Sequence, residues 1–85
     1  MVSNKLHQQV LLTYEDLTPK PLDDLRALLK RSRRIHGGHP WIAVPEFGAR
    51  RRVHFHVALP GGVDAQEFTA GWKHGMTDVV QIHTV

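Results

Sequence analysis

The chain has 85 residues, no cysteine, seven histidines and a formal charge of +3, with a sequence pI near 9.8. That length supports one small domain, near the lower limit for folding without disulfides or a partner, and the cysteine count excludes both a disulfide framework and a thiolate zinc site. No apolar run approaches the roughly 20 residues that span a bilayer, and the N-terminus has no signal-peptide core, so the expectation is a soluble, cytoplasmic protein.

His7 to Tyr14 reads as a strand built around Val10-Leu11-Leu12. Thr18 is a fair N-cap, and Pro19 and Pro21 suit a helix entry. Leu22, Leu25, Leu28, Leu29, Ser32 and Ile35 then follow helical spacing, with charged residues on the other side. Gly37-Gly38 ends that helix, because glycine takes the left-handed cap conformation cheaply. Lys30, Arg31, Arg33 and Arg34 cluster there and read as solvated charges that complement the helix dipole.

Residues 40–46 and 53–59 read as two strands, and Phe47 to Arg52 supplies a glycine-containing turn. Pro60-Gly61-Gly62 is a further turn. Asp64 with Glu67 resembles a capping box, and Val63 with Phe68 occupies staple positions. The second helix is expected from Ala65 to His74, with Phe68 and Trp72 inward, and Gly75 stops it. Met76 to Val85 reads as the last strand, with Val79, Val80 and Ile82 apolar. The order β-α-β-β-α-β predicts an α+β, ferredoxin-like split βαβ fold: an antiparallel sheet with two helices on one face. Trp41 alternates with Ile42 and is assigned to the core.

His54-Phe55-His56 carries the most chemistry. Two imidazoles one residue apart point the same way only on a strand, and Val53, Phe55, Val57 and Leu59 would line the buried face. If the neighbouring strands form a hairpin with Glu46 opposite His54, residue 44 pairs with 56 and 42 with 58. Directly opposed Cβ atoms then lie about 4.5–5.5 Å apart, and the Glu46–His56 diagonal is about 7–8 Å. A slip of one residue would put Glu46 on the wrong face. Two imidazoles and one carboxylate leave positions open for water and substrate, a catalytic arrangement. The competing reading is two exposed strand histidines and a surface glutamate. His83 is an additional imidazole or an exposed strand-end residue; His36, His39 and His74 flank glycines and read as caps or surface residues.

Several of these pieces together resemble the HUH endonuclease superfamily, in particular the replication initiators of rolling-circle plasmids and single-stranded DNA viruses. Leu11-Leu12-Thr13-Tyr14 is similar to that family's first motif, an apolar strand ending in a polar pair. Glu46, eight residues before His54, stands where many such initiators carry an acidic metal ligand. His54-Phe55-His56 matches the His-hydrophobe-His motif. Trp72-Lys73-His74-Gly75, followed by Val79-Val80-Gln81-Ile82, resembles the Trp-x-x-Gly segment leading into the next strand. The resemblance spans roughly residues 10 to 82.

It implies a metal site at Glu46, His54 and His56 for Mn2+ or Mg2+, and a sheet facing single-stranded DNA. Arg50, Arg51 and Arg52 would contact phosphate, so affinity should fall steeply with salt. Thr13 is a minor phosphate contact, and Tyr14 stacks on a base, donates to a phosphate or serves as a strand-end amphipathic residue. The family's nucleophile is a tyrosine on a helix beyond these strands. The only tyrosine here is Tyr14, which does not match that motif, so no catalytic residue is assigned. Three explanations stay open: a domain shortened before its tyrosine helix, a partner chain supplying the tyrosine, or a binding surface kept without nicking. The alternative function is a non-catalytic ferredoxin-like module that binds nucleic acid or protein, or a homodimer.

Overall fold

The computed structural model describes residues 6–16, 20–48 and 52–81. Its elements run β1 (Leu6–Leu12), α1 (Pro21–His36), β2 (Ile42–Phe47), β3 (Val53–Pro60), α2 (Ala65–Ala70) and β4 (Thr77–Gln81). The four strands form one sheet in the order β2-β3-β1-β4, and every neighbouring pair is antiparallel. This is the split βαβ, ferredoxin-like arrangement expected from the order of elements.

Strict alternation in β3 decides which face is covered. Val53, Phe55, Val57 and Leu59 are buried, whereas His54, His56 and Ala58 are half-buried. The buried set joins Val10, Leu12 and Tyr14 from the first strand and its end, Leu25 and Leu28 from α1, and Phe68 from α2 in one core. The histidine pair therefore lies on the uncovered face, because a strand turns its even and odd positions to opposite sides.

The helices depart from expectation at their ends. Thr18 and Pro19 lie outside the described residues; α1 starts at Pro21 after Lys20, with no side-chain cap bond. Proline fits there because its missing N–H would have had no partner within the helix. Gly37 follows the last helical residue with φ of 77°, as a glycine cap requires. Leu22 and Ile35, placed on the helix's apolar stripe by spacing, are exposed, since the stripe extends beyond the sheet beneath it.

The second helix stops at Ala70 rather than His74. Its last turn tightens as the Gly71 N–H donates to Phe68 O and the Trp72 N–H to Thr69 O. Only half of the capping box forms. Asp64 accepts from the N–H groups of Gln66 at 2.9 Å and Glu67 at 3.2 Å, but the Glu67 carboxylate turns to Arg31 Nη2, 2.6 Å away. Arg31 Nη1 also donates to Glu67 O, tying the two helices together. Both staple residues, Val63 and Phe68, are buried.

Asp64→Ala removes the side chain that caps this six-residue helix. It should cost about 1 kcal/mol, a fall in thermal midpoint of roughly 4–8 °C for a domain of this size. Thermal denaturation followed by circular dichroism measures it.

Trp41 is a correction. It lies on the helix side of the edge strand's N-terminal approach but is 46% exposed, lining a groove with Leu22, Leu25, Leu29, Ala43 and Pro45. Strand β2 has only β3 beside it, so nothing closes over its outer margin.

Candidate metal centre on the open sheet face

Pairing across the hairpin sets Glu46 opposite His54, Val44 opposite His56 and Ile42 opposite Ala58. This is the register the sequence pattern requires, and it brings the carboxylate and both imidazoles to the same face. On the other side of β3, Leu11 pairs with His56 and Gln9 with Ala58. His56 thus occupies a central position, with Glu46 and Gln9 at diagonal corners on opposite sides.

Both ring nitrogens of His56 are engaged. Nε2 lies 2.9 Å from Glu46 Oε2 and Nδ1 lies 2.6 Å from Gln9 Nε2. An ionised carboxylate only accepts, so Nε2 carries the proton and Nδ1 accepts from the Gln9 amide. His54 sits against the turn, where Gly48 leaves room: a Cβ at Gly48 would come within 3.3 Å of the His54 ring. The turn closes through Gly48 N donating to Arg52 O at 2.9 Å. Glu46 and His56 are in direct contact, but no three His, Asp, Glu or Cys side chains among the described residues gather closely enough to hold an ion in this conformation. The donor chemistry itself, mixed nitrogen and oxygen from facing positions of paired strands, suits Mn2+ or Mg2+.

The remaining candidates fall in different places. Arg52 is half-buried just before β3; Arg50, Arg51 and His83 lie outside the described residues. Thr13 Oγ1 donates to Met76 O at 2.7 Å. Tyr14 lies in the core at 5% exposure, on the side away from the histidine pair, so it neither stacks on a base nor reaches a phosphate there. Its hydroxyl donates to Asp24 Oδ2 at 2.8 Å. Burial, then the bond to Asp24 and its charge, holds the phenol far above its usual pKa. Such a phenol is a poor nucleophile.

His74 stacks near Trp72 and Tyr14, and Ser32 Oγ lies 2.9 Å from His39 Nε2. Both histidines serve packing away from the open face. Gln9 was missed by sequence reasoning. Its signal was present: alternation about buried Val10 and Leu12 places Gln9 and Leu11 on the open face, and the split βαβ order sets β1 beside β3.

A split βαβ domain that displays a His-x-His strand and a facing carboxylate on its uncovered sheet has the frame of a metal-assisted phosphate-handling protein. The chain belongs to the ORF2 family of replication-associated proteins, whose model it matches over residues 8–85. It is accordingly a replication-associated protein. No curated protein and no solved structure matches it.

Proposed function

We propose that this chain is a metal-dependent, single-stranded DNA-binding and processing domain of the HUH rolling-circle type. The carrying observation is the hairpin register that sets Glu46 opposite His54 and beside His56 on the uncovered face. Family membership supports a role in replication. Glu46, His54 and His56 would hold Mn2+ or Mg2+, which supplies Lewis-acid polarisation of a scissile phosphate when bound. Around it the chain orients the substrate: the open sheet carries the strand, and Arg52, with Arg50 and Arg51, neutralises flanking phosphates at the entry to β3. Tyr14 takes no part in covalent chemistry.

Calorimetry with Mn2+ tests the site. Binding near one ion per chain is expected, and Glu46→Ala combined with His56→Ala should abolish it; equal affinity in the double variant would remove the metal site. Labelled single-stranded DNA incubated with Mn2+ tests the chemistry. A protein–DNA adduct supports nicking by a nucleophile of the protein, and free cleaved product supports hydrolysis by water.

A second reading rests on the apolar character of the same face. Ile42, Val44 and Val80 are 56%, 53% and 55% exposed there. Such a surface suits a non-catalytic module that binds nucleic acid or protein through its sheet, or a homodimer. A shift of the labelled DNA without cleavage favours the module, and a doubled mass in solution favours the dimer.

A further inference from the structure

We infer that Gln9 is a positioning residue for the metal centre, turning its amide to select which His56 nitrogen faces the ion. The inference rests on the metal reading above. In the structure His56 is held as a strut, its Nδ1 2.6 Å from Gln9 Nε2 and its Nε2 2.9 Å from Glu46 Oε2. In this arrangement the Nε2 proton faces Glu46 and blocks coordination through that atom. Nδ1 faces away, toward β1.

Coordination through Nε2 requires the other neutral tautomer. One proton leaves Nε2 and one arrives at Nδ1 through solvent, so the imidazole stays uncharged. Nδ1–H then needs an acceptor, and a half-turn of the Gln9 side-chain amide presents Oε1 in place of the NH2 group. The Nε2 lone pair and the Glu46 carboxylate are freed together to face one ion. Gln9 thus serves both states from one position, donating before binding and accepting after it. A ligand histidine's second nitrogen is commonly fixed in this way, and losing the partner typically costs 10–100-fold in metal affinity.

The test compares Gln9→Met, which keeps the bulk without the hydrogen bonds, with Gln9→Glu, which can only accept when ionised. Calorimetry with MnCl2 gives affinity, and nitrogen chemical shifts of His56 give the tautomer, without metal and with diamagnetic MgCl2. The wild-type ring is expected as Nε2–H without metal and Nδ1–H with Mg2+. Gln9→Met should weaken Mn2+ binding 10-fold or more at unchanged thermal midpoint. Gln9→Glu should retain wild-type affinity or better and show Nδ1–H before metal is added. Wild-type binding with Gln9→Met within twofold of it overturns the role of Gln9 alone. No Mn2+ binding by the wild type overturns the metal reading and this inference with it.

Discussion

Gly75→Ala is expected to destabilise the domain by about 3 kcal/mol, the upper end of the usual cost of overpacking. A Cβ at residue 75 would lie 2.5 Å from Thr13 O, 2.8 Å from Glu15 N and 2.9 Å from Thr13 C. All three are backbone atoms, so no side chain can swing aside. The clash falls inside a ladder that locks the loop before β4 to the end of β1: Thr13 N donates to Met76 O and Glu15 N to His74 O. Trp72 reinforces the same junction, its indole Nε1 donating to Thr13 O at 2.7 Å. The Trp-x-x-Gly segment therefore has a physical reading: the tryptophan bonds to the strand end, and the glycine lets the two backbones touch. Urea denaturation of Gly75→Ala against Gly62→Ala provides the comparison, since a Cβ at Gly62 meets nothing within 4 Å. Equal midpoints for the two variants would refute the close approach.

The sequence carried the sheet better than its margins. Four alternating apolar positions in β3 fixed which face the histidines occupy, because a one-residue slip would expose Phe55 and bury His54. The Glu46–His54 pairing followed from that alternation and from the turn between the strands. Trp41 was misplaced for the opposite reason: its facing was readable, but its exposure depends on strand order. Pro45 within β2 was the available signal, since proline inside a strand marks an edge. Gly71 was equally hidden. A Cβ there would meet the side chains of Arg31 and Leu28 at 2.9 Å, so the contact between α1 and α2, not Gly75, helps set where the second helix ends. At the site, residue types and spacing identified Glu46, His54 and His56. The bonds from His56 to Gln9 and Glu46 depend on side-chain rotation across three strands, which no spacing encodes.

Phe55→Ala should cost about 3–5 kcal/mol, the usual range for truncating a buried phenylalanine. Whole-domain stability at this length is on the order of 4–13 kcal/mol, so a substantial share of the chains could unfold. Phe55 is among the largest fully buried side chains. Its ring meets Tyr14 and Trp72 edge-on, each at a centroid distance of 6.4 Å, at the point where both helices close over β3. Phe55→Leu retains much of the volume and should cost about 1.5 kcal/mol. This residue separates the two faces of one strand. Phe55→Leu should lower the urea midpoint while leaving the Mn2+ affinity of the folded protein unchanged. His56→Ala, on a half-buried surface position, should leave the midpoint nearly unchanged and remove Mn2+ binding. If Phe55→Leu instead weakened Mn2+ binding as strongly as His56→Ala, core and site would be one cooperative unit. Independent behaviour follows from geometry: His56 is held by Gln9 and Glu46 on the open side, and neither touches the packed rings beneath the sheet.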